Sequence, residues 1–230
     1  MMKKLSVAAT LALVLAPLGC GFAAAQTPLD KVLAQMDKSS ASFKNATADV
    51  HAEVYLKVIH AVDTVQNGST YFERDNGSIR TGMFLTTVGS SAKPQVIEYA
   101  NGVLRNYTPG SKTLDIVKSS GDAGQALGFG GSGKDLARTW NITDMGPETI
   151  GGTTTEKLDL VPKDSKILKT FTHITIWIDP VRDVSMKQVL YQPSGDYRTV
   201  TYSNIVRDGK IDKRPYTIHT DKDTKVNQLN

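Results

Sequence analysis

The stretch "LGFGGSGKDLARTW", residues 127–140, contains the residue types of two phosphate-binding loops. From Gly128 the spacing is G-x-x-x-x-G-K, which places Gly133 and Lys134 where a Walker A loop has them. Gly128, Gly130 and Gly133 also satisfy the dinucleotide pattern G-x-G-x-x-G. Both loops hold phosphate on backbone N–H groups at the start of a helix, so the chemistry in question is nucleotide binding.

The residues around this glycine run argue against a nucleotide. Asp135 follows the lysine, where a Walker A loop needs a Ser or Thr hydroxyl for Mg²⁺. The preceding apolar segment is separated from Gly128 by "SSGDAGQAL", so no buried strand leads directly into the loop. We therefore predict no nucleotide, and expect instead a short helix, a flexible glycine segment and a second helix capped by Ser132. The predicted hinge of this lid-like element consists of Gly128, Gly130, Gly131 and Gly133.

Other catalytic patterns are absent from the sequence. The four histidines show no H-E-x-x-H or other ligand spacing, and there is no G-x-S-x-G elbow. An exported hydrolase or metal enzyme is thus a disfavoured alternative, and we predict no catalytic residues, no metal and no cofactor.

The N-terminus predicts export. Lys3 and Lys4 precede an apolar run that ends in an A-x-A site at residues 23–25, which is the pattern of a signal peptide over residues 1–25. Cys20 lies in "PLGC", which resembles a lipobox with Pro17 where Leu is usual. The expected product is a soluble periplasmic protein, and a lipidated, membrane-anchored protein is the alternative.

The net charge and the cysteine count of the remaining chain, residues 26–230, exclude some classes of function. Loss of Lys3 and Lys4 lowers the formal net charge from +4 to +2. A charge this small does not indicate a nucleic-acid-binding protein. The only cysteine lies in the predicted leader, so no disulfide is expected after cleavage. We predict a single domain, and we expect it to be monomeric.

The periodicity predicts one long helix followed by a mainly antiparallel β domain. Apolar residues recur at helical spacing over residues 28–43. In "TADVHAEVYLKVI" the even positions are apolar, including Val50, Val54 and Leu56, which predicts a half-buried strand. Further strands follow at short intervals, with the turn signal Asn101-Gly102 among them, and a helical insertion is expected at residues 121–139.

Three blocks of this sequence are similar to the outer-membrane lipoprotein carrier proteins, LolA and its relatives. They are "STYFERDNGSIRTGMFL", "VIEYANGVLRNYTPGSKTL" and "HITIWIDPVRDVSMKQVLYQPSGDYRTVTYSNI". "FGGSGKDLARTWNIT" resembles the family's lid segment. The resemblance implies an unclosed, strongly curved antiparallel half-barrel of about eleven strands, covered by an N-terminal helix and a helical lid.

The resemblance also implies a function without catalysis. Acyl chains of lipoproteins, or another lipid, would be shielded in an apolar cavity and carried from an inner-membrane release complex to an outer-membrane receptor. Arg74 stands where the family has an inward-reaching Arg implicated in hydrogen bonds to lid carbonyls; the alternative is an exposed Arg paired with Glu73 or Asp75. The chain departs from the family pattern at Asp75, where Pro is expected, and at Ile79, where an aromatic is expected. The predicted cavity residues are Val50, Val54, Leu56, Ile79, Leu127 and Leu136.

Overall fold

The computed structural model describes residues 27–75, 78–89, 93–118 and 128–229. The predicted signal peptide, Cys20, Leu127 and the first part of the predicted insertion lie outside these ranges, so those expectations stay untested. Within them, no helix has the length and apolar character that crossing a bilayer would require.

Helix α1, Pro28–Ser40, begins at a capping box. The Thr27 side chain accepts a hydrogen bond from the Asp30 N–H, and the Asp30 carboxylate accepts one from the Thr27 N–H. Val32 and Met36 are buried, which matches the predicted apolar stripe. The helix ends at Ser40, three residues before the predicted end at residue 43, and Phe43 belongs to a different apolar cluster from Val32 and Met36.

Twelve strands of the described chain form one sheet in the order β12-β6-β5-β4-β3-β2-β1-β11-β10-β9-β8-β7. Neighbours pair antiparallel throughout, except that β12 is parallel to β6. The strands are β1 Asn45–Leu56, β2 Ala61–Asp75, β3 Ser78–Thr87, β4 Pro94–Ala100, β5 Val103–Thr108, β6 Thr113–Lys118, β7 Trp140–Ile150, β8 Thr153–Pro162, β9 His173–Asp179, β10 Val184–Tyr191, β11 Tyr197–Arg207 and β12 Lys225–Leu229. Helix α2, Gly133–Thr139, precedes β7, and the short helix α3, Ser165–Leu168, follows β8.

The sheet is open, since its order begins at β12 and ends at β7 without a pairing between them. The predicted mainly β fold with an unclosed sheet is therefore confirmed, whereas the helical lid is described only from Gly128 onward. The sequence predicted about eleven strands and missed β12. All five residues of this edge strand are exposed, so they show no buried alternation that could reveal the strand.

One face of the sheet, called the inner face here, carries the core. In β1 the even residues Ala46, Ala48, Val50 and Ala52 are buried, which confirms the predicted alternation over this part of the strand. Their strand neighbours Phe72, Leu85, Val200 and Tyr202 join the same apolar cluster. A second apolar cluster joins α1 to the sheet, and its members include Val32 and Met36 together with Leu158 and Ile176.

A glycine in β2 allows the close approach of the central strands. Gly68 lies opposite Val50 in β1 and opposite Leu85 in β3. A Cβ atom at Gly68 would overlap the backbone carbonyl of Phe84. A side chain at this position would therefore force β2 and β3 apart.

The C-terminal segment, residues 208–224, crosses the outer face of the sheet before it adds β12 to the edge. The Tyr216 ring packs edge-on against Tyr71, with 5.1 Å between ring centroids, and its hydroxyl donates to Ser69. The Ile218 N–H donates to the Glu98 carboxylate at 2.8 Å. These contacts leave the inner face free of the C-terminus.

Candidate ligand-binding face and its lid contact

The centre of the inner face is an apolar floor of small side chains. Ala46, Ala48 and Ala52 alternate with Val50 along β1, and each is at most 4% exposed. Across the strand pairs, Val50 lies between Gly68 and Tyr202. Small residues in a middle strand flanked by larger ones leave room for another group to lie over that strand.

That room is filled by an aromatic side chain from the lid segment, defined here as residues 128–139. Phe129 is fully buried, and its ring stacks on Phe72 with centroids 3.9 Å apart and planes 6° apart. Tyr202 meets the same ring edge-on at 4.9 Å. The backbone of Phe129 forms an isolated antiparallel bridge with Val184. The lid segment therefore inserts an aromatic plug into the inner face.

Arg74 and Asp183 hold the residue that follows this plug. Arg74 lies near the end of β2, and its guanidinium donates a hydrogen bond to the Gly130 carbonyl. The Gly130 N–H donates to the Asp183 carbonyl at 3.1 Å. Glu73, which the alternative paired with Arg74, instead contacts Lys213 with 2.6 Å between Nζ and the carboxylate. Whether the Arg74 contact controls opening stays a hypothesis.

The glycine run permits close packing of the lid segment. Gly128 and Gly130 have φ values of +74° and +71°, a region that disfavours side chains, and a Cβ at Gly130 would overlap the Phe43 ring. Gly133 starts α2 so close to α1 that a Cβ would overlap the Leu33 backbone. A Cβ at Gly131 would meet only open space. A hinge role for these four residues stays a prediction.

The remaining residues of the glycine-rich motif form contacts within α2 and between α2 and α1. The Ser132 side chain accepts from the Asp135 N–H and caps α2, as predicted. The Lys134 N–H donates to the Asp37 carboxylate of α1 at 3.1 Å, and Lys134 is exposed. The start of α2 therefore faces a carboxylate, a partner that would repel phosphate.

Asp183 is a buried acid beside the lid contact. It is fully buried, and within the described ranges neither carboxylate oxygen accepts a hydrogen bond. Burial raises the pKa of Asp183 to about 7, although the positive charges of Arg207 and Arg74 oppose that change. The residue also has a left-handed backbone, with φ of 56°, in the turn that joins β9 to β10. Asp183 can therefore change charge near neutral pH.

Arg207 fixes α1 to this turn. Its guanidinium donates to the backbone carbonyls of Ser39 and Arg182, each at 2.9 Å, and lies over the Phe43 ring at 5.4 Å. A cation at the C-terminal end of a helix satisfies carbonyls that have no partner within the helix. The helix and the turn that carries Asp183 are thus held in one arrangement.

The opposite end of the inner face is polar. Arg198 in β11 lies directly across from Val54 in β1, and its guanidinium donates to the Gln66 side-chain oxygen at 3.1 Å. Gln66 in turn donates to Gln95 at 2.9 Å. Desolvation by burial lowers the pKa of the Arg198 guanidinium.

The predicted cavity residues do not form one group. Val50 is buried in the central cluster, whereas Val54 and Leu56 are only partly buried toward the polar end. Ile79 is buried opposite Arg74 in the β2–β3 pair. Leu136 packs in the second apolar cluster, away from Val50. Their contact with a ligand stays a prediction.

Sequence reasoning missed three residues that the structure places at this face: Phe129, Asp183 and Arg198. A lone aromatic within a glycine run was a usable signal for Phe129. Arg198 stands among the alternating apolar positions of "YRTVTYSNI", which also marked it as inward-facing. Asp183 offered no local signal, because its burial arises from contacts with distant segments.

In the described ranges, no group of three His, Cys, Asp or Glu side chains is arranged to hold a metal ion. No protein-family model matches the chain. No curated protein matches its sequence.

Solved structures do resemble the fold. An uncharacterized conserved protein from Thermus thermophilus superposes with a TM-score of 0.51 at 11% identity, over 86% of this chain and 98% of that chain. A putative outer membrane lipoprotein-sorting protein domain from Vibrio parahaemolyticus gives 0.44 at 11% identity, over 82% and 97%. A LolA superfamily protein from Nitrosomonas europaea gives 0.41 at 12% identity, over 84% and 99%. The superposition on the Thermus thermophilus protein shows that the two chains share a fold. At such low identity the likeness concerns the fold alone.

Proposed function

We propose that this protein is a non-enzymatic carrier that shields the acyl chains of a lipoprotein, or of another lipid, between its inner face and its lid segment. The observation that carries the proposal is the position of Phe129 over Phe72 and the small residues of β1. Phe129 of the lid segment covers an apolar part of the inner face that would otherwise be exposed to water. A ligand that replaces this group needs only to be apolar.

The free energies favour such an exchange. A buried Phe side chain is stabilised by roughly 1.5–3 kcal/mol relative to water. Each buried methylene contributes about 0.8 kcal/mol, so an acyl chain of about sixteen carbons gains on the order of 12 kcal/mol on leaving water. An acyl chain can therefore displace Phe129 and still bind.

The lid contact supports reversible binding. The hydrogen bond from Arg74 to Gly130 connects the lid segment to the sheet at one point near the plug. A charge-assisted hydrogen bond contributes roughly 1.5–3 kcal/mol, which is small beside the acyl-chain term. We propose that Arg74 favours the closed, empty state, and that cargo breaks this contact on entry.

The proposed route follows from the sequence resemblance and the predicted leader. An exported carrier would collect cargo at an inner-membrane release complex and deliver it to an outer-membrane receptor. A membrane-anchored receptor with Cys20 as its lipid attachment is the alternative. Mass spectrometry of the mature N-terminus separates the two, because the carrier begins at Gln26 and the receptor at a lipidated Cys20.

Native mass spectrometry of the protein purified from its own periplasm tests the function. We expect an acyl-containing molecule to co-purify and to be released on denaturation. The emptied protein should bind a neutral hydrophobic dye, and the released lipid should displace that dye. Protein that carries no acyl ligand and takes up no dye would contradict the carrier proposal.

A further inference from the structure

Among the residues that the structure describes, the polar end of the inner face holds a cation without a counter-ion. Arg198 is partly buried beside Val54 and Leu190, its partners in the neighbouring strands. The described part of the chain offers its guanidinium one hydrogen-bond acceptor, the Gln66 amide oxygen, and no carboxylate within ion-pair distance. A guanidinium has five N–H donors, so most of its capacity is unused by these residues.

This arrangement differs from that of Arg207, another arginine held at the inner side of the fold. Arg207 donates to two backbone carbonyls and pairs with the Asp208 carboxylate at 3.3 Å. Arg198 is instead paired with a neutral amide, and the Gln66 amide is itself anchored by Gln95. Partial burial of an uncompensated charge is costly, and an oxyanion at this position would remove that cost.

The position of Arg198 relative to the apolar floor sets the shape of a ligand. From Val54, opposite Arg198, β1 runs back to Ala46, opposite Phe72, over a distance of about 26 Å at roughly 3.3 Å per residue. The inner-face residues between them are Ala48, Val50 and Ala52. A molecule along this floor therefore has an apolar body of considerable length and one end beside the guanidinium.

We infer that Arg198, positioned by Gln66, is a binding site for the oxyanion end of an amphipathic ligand whose alkyl chain lies along β1. The inference rests on the proposed carrier function and assigns the ligand's headgroup chemistry. A carboxylate or a phosphate fits the planar guanidinium, which can donate two parallel hydrogen bonds to either. A free fatty acid and a phosphate-bearing lipid are the two sources of that chemistry.

Competition with a neutral hydrophobic dye tests the site. Three displacing ligands share one sixteen-carbon chain and differ only in the head: hexadecanol, hexadecanoate and hexadecyl phosphate. We expect the two anions to bind the wild-type protein about tenfold or more tightly than the alcohol. In Arg198→Met this preference disappears while the affinity for hexadecanol stays within about twofold. The tighter of the two anions identifies the source, fatty acid or phosphate-bearing lipid.

Two further variants separate binding from structure. Arg105→Met removes an arginine from the outer face, where its side chain is 55% exposed, and should leave the anion preference unchanged. Arg198→Lys keeps the charge but loses the planar fork, and should retain only part of the preference.

The outcomes are distinct. Equal affinity of the wild-type protein for the alcohol and the anions, or an anion preference that survives in Arg198→Met, overturns the headgroup site while leaving the carrier function standing. Failure of all three ligands to displace the dye contradicts the carrier function, and the headgroup site with it.

Discussion

The Phe129 ring lies parallel to the Phe72 ring, with 3.9 Å between the two centroids. Phe72 belongs to β2, and Phe129 belongs to the lid segment, so this stack covers the inner face of the open sheet with a side chain from a distant part of the chain. Both rings are buried, and Tyr202 completes the aromatic group. The stack makes Phe129 of the lid segment part of the core.

Phe129→Ala should therefore lower stability and improve ligand uptake at once. We expect the free energy of unfolding to fall by about 3 kcal/mol, since a buried Phe is replaced by a small side chain. Dye affinity should rise, because no ring has to be displaced. Denaturant unfolding and dye titration measure the two effects. Val181→Ala, at a side chain 68% exposed, is the control and should change neither. Unaltered stability and dye affinity in Phe129→Ala would contradict the plug.

Arg74→Leu tests the lid contact. The variant should still load lipid, but should release it poorly to acceptor vesicles, because the closed empty state loses its hydrogen bond to Gly130. Transfer of a fluorescent lipid from loaded protein to vesicles measures this. Arg138→Leu removes an arginine of α2 whose side chain is 77% exposed, and it should transfer at the wild-type rate. If Arg74→Leu transfers lipid at the wild-type rate, Arg74 is a structural contact and does not control release.

Asp183 predicts a stability that falls as pH rises. Its pKa is about 7 in the folded protein and near 3.8 when unperturbed, so between these values the folded state binds more protons than the unfolded state. The contribution is fully favourable below about pH 4 and is lost by about pH 7, a change on the order of 4 kcal/mol. Denaturant unfolding at pH 5 and pH 8 should show this trend.

Asp183→Asn removes the titrating group and should flatten the pH dependence, with a gain in stability at pH 8. Asp223→Asn, at a side chain 61% exposed, is the matched control and should keep the wild-type trend. An equal pH dependence in wild type and Asp183→Asn would show that Asp183 does not titrate in this window.

Charge placed along β1 should act differently at two inward positions, Val50 and Val54, that lie on either side of Ala52. Val50 is 3% exposed and surrounded by apolar groups, so Val50→Asp should cost several kcal/mol and abolish dye uptake. Val54 lies opposite Arg198, so the carboxylate of Val54→Asp gains a guanidinium partner and should cost much less. The same carboxylate should abolish any preference for anionic ligands. Unfolding and dye competition compare the pair, and equal losses at both positions would contradict the assignment.

Two adjacent glycines of the lid segment provide a matched pair. Gly130 has φ of +71° and no room for a Cβ beside Phe43, so Gly130→Ala should destabilise the lid contact by at least about 1 kcal/mol. Gly131 faces open space, and Gly131→Ala should be neutral or slightly stabilising. Hydrogen exchange at residues 128–139 measures the effect locally. Similar hydrogen-exchange rates in both variants would show that packing against Phe43 does not require a glycine at position 130.

Local patterns in the sequence were sufficient for most secondary structure. The alternation in β1 predicted a strand with Val50 inward, and Asn101-Gly102 predicted the turn between β4 and β5, where both residues have positive φ. The cap at Ser132 was also predicted from a few neighbouring residues. These features depend on interactions within a few positions, so residue type and spacing determine them.

The candidate site could not be predicted in the same way. The stack of Phe129 on Phe72, the burial of Asp183 and the place of Arg198 opposite Val54 each join segments far apart in the chain. Sequence periodicity alone predicted a mainly antiparallel β domain with an apolar strand face, and the open sheet was an implication of the family resemblance. The tertiary structure alone decided which residues meet on that face, because packing and desolvation depend on how the whole sheet brings β1, β2, β11 and the lid segment together.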